Sequence, residues 1–372
     1  MSIKSVDLAR KLIQFPSLNP PGEEKACVDF LANMLTNAGL LVETHEFAPN
    51  RPSIIARSPT GGEKPLCFTG HVDVVPLGEK EWTVPPFGGE IRDGKLFGRG
   101  ASDMKAGVAA FVTATIAQIE SRMVLKRGVA LVITAGEETG CEGAFHLAKK
   151  GALGKSDLLI VAEPSSNLPI IAHKGSVRLR ITANGRTAHS SMPELGDNAI
   201  YKVAEWIRRL EQHKFTTQEH PLLGSTTSSV TTVFGGQNIN SVPDSAGFTV
   251  DFRTIPAHDH SQLVADVQKL CGDAARVEVV TDFNGFATDP DDRRIQPLMD
   301  ILESRLGARP KVAGAPYFTD ASALVPGFGN VATVVIGPGE AAQCHQTDEF
   351  CYIHQIEEAF DIYSSLIRKM CT

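Results

Sequence analysis

The distribution of apolar and polar residues divides the chain into two kinds of segment. In its first and last parts, short continuous apolar runs such as 66–70, 128–134 and 157–162 end abruptly in charged residues. Apolar runs of this length, bounded by turn residues, predict strands that are buried on both faces. In residues 177–182, apolar and charged residues alternate instead, which predicts a half-exposed strand of an antiparallel sheet. The pattern therefore predicts two domains of different architecture.

Helical spacing of apolar residues separates the predicted strands. In the outer parts, the predicted helices are 6–15, 23–38, 106–119, 295–306 and 355–370, and further strands are 41–47, 53–57 and 331–336. The middle part has strand 177–182, helix 198–211, strands 228–234 and 247–253, helix 260–271 and strand 275–281. This order is that of a ferredoxin-like unit. We therefore predict a discontinuous α/β domain, residues 1–175 and 285–372, into which an α+β domain, residues 176–284, is inserted.

Composition and charge limit the classes of partner. The 372 residues are 42% hydrophobic and 21% charged, which is typical of a globular protein. Asp and Glu (43) outnumber Lys and Arg (36), and no basic block of the kind that binds nucleic acid or an anionic membrane is present. A small-molecule partner is expected. The sequence has neither a signal-peptide core nor a membrane-spanning apolar run, so we expect a cytoplasmic protein, with seven reduced cysteines.

Three of the buried strands lead into side chains that bind metal ions. The carboxyl ends of neighbouring strands form the crevice in which open α/β sheets bind their ligands. The side chains are His71 and Asp73 after the first strand, Glu137 and Glu138 after the second, and Glu163 after the third. His71 and Asp73 are two residues apart, so in extended backbone they point to the same face. Asp73 is therefore expected to fix the tautomer of the His71 ring.

Two further candidate ligands lie in irregular segments. Asp103 precedes an apolar helix, where its alternative role is an N-cap, and His345 follows the turn Gly337–Gly339. His, Asp and Glu are ligands that suit Zn²⁺, Mn²⁺ or Co²⁺. A histidine, an aspartate and two glutamates, together with the later His345, make five such ligands, which exceed the needs of one tetrahedral ion. Two ions that share a carboxylate would use all five.

Several short motifs, taken together and in order, resemble the M20 metallopeptidase family. They are GHVDVVP (70–76), GRGASDMK (98–105), AGEETG (135–140), AEP (162–164) and CHQTDEF (344–350). The family includes acetylornithine deacetylase, succinyl-diaminopimelate desuccinylase, aminoacylases and glutamate carboxypeptidases. The resemblance implies a zinc-peptidase-type catalytic domain, with a mixed sheet flanked by helices, and an inserted domain that acts as a lid and dimerisation surface.

The resemblance also implies a role for individual residues. His71 and Glu163 would hold one zinc ion, Glu138 and His345 the other, and Asp103 would bridge them, with cobalt or manganese as possible substitutes. Glu137 would be the general base, Asp73 the partner of His71, and His189 an oxyanion donor from the partner subunit of a homodimer. Arg253 would bind the α-carboxylate of the substrate, unless it is merely a surface arginine, and Asn240 and Lys174 are further candidates for that pocket.

The implied reaction is hydrolysis of an N-acyl amino acid by a water shared between the two ions. The ending CHQTDEF resembles acetylornithine deacetylase, so removal of an acetyl group in arginine biosynthesis is the first expectation. The alternatives are a desuccinylase, dipeptidase or carboxypeptidase of the same fold, and a catalytically silent metal-binding protein. Glu137 argues against the silent protein, because a base serves no purpose in metal binding alone. A two-metal phosphatase is disfavoured because the sequence has no Gly-rich phosphate cradle.

Overall fold

The computed structural model describes residues 3–122, 124–215 and 218–372. The chain forms two compact units. The first comprises Met1–Ala172, Ala287–Ala313 and Thr319–Thr372, and the second comprises His173–Phe286 and Gly314–Phe318. The sequence pattern assigned the short segment Gly314–Phe318 to the discontinuous domain, because five residues carry too little periodicity to reveal that they pack with the other unit.

The bounds of the strands and helices are as follows. The strands are β1 (Leu41–Ala48), β2 (Arg51–Arg57), β3 (Gly62–His71), β4 (Glu90–Arg92), β5 (Lys95–Phe97), β6 (Arg127–Thr134), β7 (Leu158–Val161), β8 (Ile170–His173), β9 (Gly175–Asn184), β10 (Thr227–Gly235), β11 (Ser245–Thr254), β12 (Ala275–Phe283), β13 (Phe286–Ala287), β14 (Ala313–Ala315), β15 (Ala332–Val335) and β16 (Phe350–Tyr352). The helices are α1 (Ser5–Ile13), α2 (Lys25–Asn37), α3 (Ala106–Glu120), α4 (Glu142–Lys149), α5 (Ala199–Gln212), α6 (His260–Cys271), α7 (Gln296–Leu306), α8 (Ala321–Gly327) and α9 (Ile353–Cys371).

The larger sheet is mixed, with the strand order β1-β2-β6-β3-β7-β15-β8-β13, and β14 pairs with β8. Its central strands β6, β3, β7 and β15 are parallel to one another. Their side chains are almost completely buried, as at Phe68, Leu131 and Ile160, which explains why their sequences are continuous apolar runs. Because the strands are parallel, their carboxyl ends meet at one edge of the sheet, and the residues that follow them are brought together there.

Helix α3 is buried on nearly all sides and packs against α1 and α9. Its small residues allow the start of the helix to lie directly on the sheet. At Gly107, a Cβ atom would lie 2.1 Å from the backbone oxygen of Ala162, so only glycine fits at this contact. This close approach places the segment that precedes α3 beside the carboxyl end of β7.

The second unit is a four-stranded antiparallel sheet, in the order β10-β11-β9-β12, with helices α5 and α6. Its core contains alternate residues of β9 and β11, such as Val177, Leu179 and Phe248, together with Trp206 of α5. The order strand, helix, two strands, helix, strand is that predicted from the sequence. The predicted fold class, a mixed α/β domain with a second α+β unit, is confirmed.

Several short elements were not predicted. Strands β4 and β5 form a hairpin between β3 and β6, where no strand was predicted. Helices α4 and α8 and strands β8, β14 and β16 were also missed, because elements of three to eight residues show little periodicity. Throughout the described ranges the seven cysteines are free thiols, six of them buried. No helix in these ranges is long and apolar enough to cross a membrane.

Candidate metal centre and active site

The predicted metal ligands of the first unit converge at the carboxyl edge of the larger sheet. His71 is the last residue of β3, Glu138 follows β6, and Asp103 precedes α3. One ligand atom from each of these three residues lies within 4.8 Å of the other two. The convergence results from the parallel pairing of β3 with β6 and from the close packing of α3 on the sheet.

Asp103 lies between two histidines, with one carboxylate oxygen toward each. Its Oδ1 is 3.2 Å from His71 Nε2, and its Oδ2 is 3.4 Å from His345 Nε2. His71 Nε2 is also 3.6 Å from Glu163 Oε1, whereas His345 Nε2 is 3.1 Å from Glu138 Oε2. The structure therefore contains two donor sets, His71 with Glu163 and His345 with Glu138, and Asp103 is common to both.

The backbone around Asp103 is irregular. Residues Ala101–Lys105 form a short π-helical segment in which Asp103 has the non-helical angles φ −115° and ψ 91°. The N-cap of α3 is Lys105, whose side chain does not cap the helix. Asp103 is thus not an N-cap, and its carboxylate is directed to the two histidines instead.

Asp73 contacts His71 differently from the expectation. The ring Nδ1 of His71 lies 3.0 Å from the backbone oxygen of Asp73, while the Asp73 carboxylate is 3.6 Å away. The carboxylate accepts hydrogen bonds from the backbone N–H groups of Glu137 (3.2 Å) and Glu138 (3.1 Å) and from the side chain of Asn19 (2.8 Å). Strand β3 ends at His71, so the alternation that would align the two side chains does not continue to Asp73.

Glu137 and Glu138 are adjacent but have different surroundings. Glu138 contacts His345, whereas the Glu137 carboxylate is buried next to the thiol of Cys141, with 3.8 Å between Sγ and Oε1. Burial raises the pKa of Glu137 well above its usual value; the charge of His71 opposes this increase, and that of Glu163 adds to it. A carboxylate with a raised pKa is suited to accept and return a proton near neutral pH.

The charges of the cluster favour a bound cation. Burial, and after it the negative charge of Asp103, raises the pKa of both Glu163 and Glu138. Hydrogen bonds to Asp103 and Glu138 raise the pKa of His345 to about 10. In addition, Glu138 Oε1 is buried and has no hydrogen-bond partner among the residues that the structure describes. Buried carboxylates and imidazoles at these distances fit divalent ions that accept mixed oxygen and nitrogen ligands.

The other predicted site residues belong to the second unit, where they form two pairs. His189 and Asn240 are neighbours: His189 bridges to Ser241, and the backbone oxygen of Asn240 accepts a hydrogen bond from Ser190. The His189 ring is exposed, and its Nδ1 lies 2.7 Å from the hydroxyl of Ser191. These two residues thus lie on the same surface of the second unit.

Lys174 and Arg253 form the other pair. Burial and then the charge of Arg253 lower the pKa of Lys174. Lys174 Nζ donates a hydrogen bond of 2.7 Å to the backbone oxygen of Ser225, and Arg253 Nε lies 2.9 Å from Asp251 Oδ1. Arg253 is therefore not an isolated surface arginine, since its guanidinium is only partly exposed and paired.

Several residues around the cluster were not identified from the sequence. Asn19 joins Asp73 to Thr139, and the buried Asp320 contacts Thr134 behind Glu137. A buried ion pair of Arg99 and Glu349 lies beneath Asp103. Glu349 of CHQTDEF and Arg99 of GRGASDMK were visible as parts of motifs, but nothing in their spacing indicates that they meet.

A mixed sheet flanked by helices, with a cluster of histidines and carboxylates at its carboxyl edge, is the arrangement of a metal-dependent enzyme. The model of peptidase family M20/M25/M40 matches residues 67–369, and the chain belongs to this family. It is therefore a hydrolase that acts on amide bonds.

A curated relative agrees with this classification, and solved structures share the fold. The chain is 32% identical to a probable succinyl-diaminopimelate desuccinylase of Staphylococcus epidermidis, over 92% of this chain and 93% of the relative. It has the fold of an M20 metallo-carboxypeptidase from Sulfolobus solfataricus (TM-score 0.82, 18% identity, 98% and 99% covered). It also shares the fold of a dinuclear metal-binding M20 peptidase of Bacillus subtilis (TM-score 0.71, 16% identity, 97% and 96% covered).

Proposed function

We propose that the enzyme removes a succinyl group from an N-succinyl amino acid with the help of two divalent metal ions, zinc in the first place. The observation that carries this proposal is the position of the Asp103 carboxylate between two histidines, each of which has its own glutamate. The choice of a succinyl group is supported by the relative from Staphylococcus epidermidis, which is named for desuccinylation. That relative gives no support to the first expectation from the sequence, which was removal of an acetyl group from acetylornithine in arginine biosynthesis.

The assignment of ligands follows the two donor sets. His71 and Glu163 would hold one ion, His345 and Glu138 the other, and Asp103 would contact both, as its two oxygens face the two histidines at 3.2 and 3.4 Å. Cobalt and manganese would be accepted by the same ligands. Bound divalent ions lower the pKa of water and stabilise negative charge on a carbonyl oxygen.

Glu137 is the proposed general base. Its carboxylate is buried, is next to the cluster, and forms no part of either donor set, so it is available for proton transfer. It takes a proton from the attacking water and delivers it to the nitrogen of the leaving group when the amide C–N bond breaks. The products are succinate and the free amino acid. Asp73 supports this step because it holds the backbone N–H of Glu137.

The cationic pair of the second unit is the proposed anion-binding element. An N-succinyl amino acid carries the α-carboxylate and the free carboxylate of the succinyl group, so it needs more than one cation. Arg253 is suited to a carboxylate by the fork geometry of its guanidinium, and Lys174 provides a second positive charge near it. Asn240 adds an amide next to His189.

We expect the enzyme to act as a homodimer. Strand β10 lies at an edge of the four-stranded sheet and is exposed along almost its whole length. Exposed edges of this kind pair readily with another chain, and two-fold dimers are the commonest oligomers. In such a dimer His189 would donate a hydrogen bond to the oxyanion of the partner's substrate, which is the role that the family resemblance implies.

A substrate panel tests the proposed reaction. The N-succinyl and N-acetyl forms of one amino acid, and a dipeptide that ends in it, are compared by kcat/KM with zinc-saturated enzyme. We expect the succinyl form to be preferred by about 10-fold or more, because a hydrogen bond to a charged group contributes roughly 1.5–3 kcal/mol. Preference for the acetyl form or the dipeptide would replace the proposal by a deacetylase or a peptidase. No turnover with two ions bound would indicate a silent metal-binding protein.

A further inference from the structure

A fully buried ion pair lies directly beneath the candidate metal centre. Arg99 and Glu349 are 1% and 0% exposed, and 2.8 Å separates Arg99 Nη1 from Glu349 Oε2. The two residues are far apart in sequence and come from two of the segments that supply metal ligands. Neither side chain is one of the proposed metal ligands, so the proposed function leaves the pair without a role.

Glu349 holds the segment that carries Asp103. Its carboxylate accepts hydrogen bonds from the backbone N–H groups of Gly100 (3.0 Å), Ser102 (2.8 Å) and Asp103 itself (3.0 Å). Because the backbone there is not a regular helix, these N–H groups need acceptors from elsewhere. The carboxylate of Glu349 is the acceptor for all three N–H groups. It thereby fixes the direction in which the Asp103 side chain points.

Arg99 holds the two other segments. Its Nη1 donates to the backbone oxygen of Gln346 at 3.1 Å, and its Nη2 to that of Pro76 at 3.2 Å. His345, next to Gln346, has the left-handed φ of 64°, which is uncommon for a residue other than glycine and requires support from its surroundings. The guanidinium provides such support, since its rigid fork reaches several acceptors at once.

We propose that Arg99 and Glu349 form a positioning pair, which sets the distance between Asp103 and His345 and thereby the affinity for the metal ion that these two ligands share. This inference rests on the two-ion site of the proposed function. The backbone contacts of the pair distinguish it from an ion pair that serves stability alone. A buried ion pair by itself contributes little to stability and can often be replaced by apolar residues.

Variants of the pair test the inference through metal affinity. Arg99→Lys keeps the charge and one contact to Glu349 but loses the fork. Glu349→Gln places an amide N–H₂ either against the donors of Arg99 and Gly100 or against those of Ser102 and Asp103. Groups that orient metal ligands typically contribute 10–100-fold to metal affinity. We expect both variants to bind the ion assigned to Glu138 and His345 about 10–100-fold more weakly, measured by Zn²⁺ titration against a competing chelator.

Two further variants serve as reference and control. His345→Ala removes a ligand of the same ion and provides the reference for its loss. Glu24→Gln alters a second buried carboxylate, which pairs with Arg51 at 2.8 Å between the starts of α2 and β2. We expect this control to bind both ions with the wild-type affinity. Thermal denaturation of the metal-free proteins separates a loss of affinity from a loss of stability.

If Glu349→Gln does not fold, the double variant Arg99→Met with Glu349→Met decides the question. It removes both buried charges, and such replacements are often tolerated, but it leaves the backbone N–H groups before Asp103 without their acceptor. If a folded variant binds the ion assigned to Glu138 and His345 more weakly than the wild type does, the inference is supported. A folded variant that binds both ions as tightly as the wild type overturns it. Wild-type protein that binds fewer than two ions would instead overturn the two-ion site itself.

Discussion

The carboxylate of Asp73 accepts a hydrogen bond of 3.1 Å from the backbone N–H of Glu138. The same carboxylate accepts the N–H of Glu137 at 3.2 Å. One buried side chain therefore fixes the turn that carries both the proposed base and a proposed metal ligand. This is a different way for Asp73 to act from the orientation of a histidine ring by its carboxylate.

We expect Asp73→Asn to lower both activity and metal affinity. An asparagine has one acceptor oxygen where the aspartate has two, so its N–H₂ group must face a donor of the Glu137–Glu138 turn. Loss of such a supporting contact typically costs 10–100-fold in affinity or activity. Zn²⁺ titration and kcat/KM measure the two effects. The double variant with Glu138→Asp provides the contrary outcome. If Asp73 acted only on the His71 ring, the effects of Asp73→Asn and Glu138→Asp on Zn²⁺ affinity would be additive.

We expect Glu137→Ala to retain both metal ions but to lose activity by about 10²–10⁴-fold, the usual contribution of a general base. The physical reason is that Glu137 belongs to neither donor set. Elemental analysis and kcat provide the measurement. Glu138→Ala is the matched comparison, because it removes the adjacent carboxylate and should lose one ion. Loss of metal from the Glu137 variant would mean that the two glutamates exchange roles.

Removal of the metal ions is expected to lower thermal stability, and zinc should restore it. Binding to the folded state alone stabilises a protein by about 2.7 kcal/mol when the free ligand is at 100 times its Kd. Chelation also removes the divalent charge that offsets the repulsion among the clustered carboxylates. Thermal denaturation with chelator, and then with excess zinc, measures the shift. Saturation at one ion per chain would contradict the shared role of Asp103.

The proposed contribution of His189 across a dimer can be tested by mixing two inactive variants. His189→Ala should lower kcat by about 10²–10³-fold, as for the loss of one oxyanion donor, with its metal content intact. In a heterodimer with Glu137→Ala, one site carries both defects and the other carries neither. Activity should therefore recover after subunit exchange. A protein that sediments only as a monomer at micromolar concentration would contradict the dimer.

His173 should make the second unit less stable in acid. It is fully buried, burial lowers its pKa to about 4, and its ring packs edge-on against Phe286. The unfolded chain takes up the proton from about pH 6.5 downward, whereas the folded one does so only near pH 4. Its contribution to stability is thus complete above pH 6.5 and is lost as the pH falls toward 4. The loss is roughly 3 kcal/mol from the difference of the two pKa values.

The test is the urea midpoint at pH 7.5 and at pH 5 for wild type and His173→Phe. We expect a smaller difference between the two pH values in the variant. His354→Phe, which replaces an exposed histidine of α9, is the control for loss of a histidine as such. An equal pH dependence of wild type and His173→Phe would show that other groups determine the acid sensitivity.

The sequence was most informative where a ligand follows a buried strand. The apolar runs that precede His71, Glu138 and Glu163 predict the strands, and the parallel sheet then brings the residues after them together. The direction of Asp103 could not be predicted in the same way, because it depends on Glu349, 246 positions further along the chain. Such contacts arise from tertiary packing and leave no periodic signal.

The expectation for Asp73 shows a second limit. The spacing of two residues aligns side chains only as long as the strand continues, and β3 ends at His71. Short elements such as β4 and β5 were hidden for a related reason, since three residues cannot display an alternation. Asp320 was overlooked because it follows no predicted strand, although its burial and its contact with Thr134 place it behind Glu137.

The main segment of the second unit, His173–Phe286, begins and ends at almost the same place. Phe283 at the end of β12 pairs with Ser176 near the start of β9, and a Cβ atom on Gly175 would lie 2.7 Å from the backbone nitrogen of Gly285. Insertions are tolerated where the two ends of the inserted segment are close together. A gene could therefore acquire or shed residues 176–284 at a single locus, and a short linker would then keep every proposed metal ligand, from His71 to His345, on one chain.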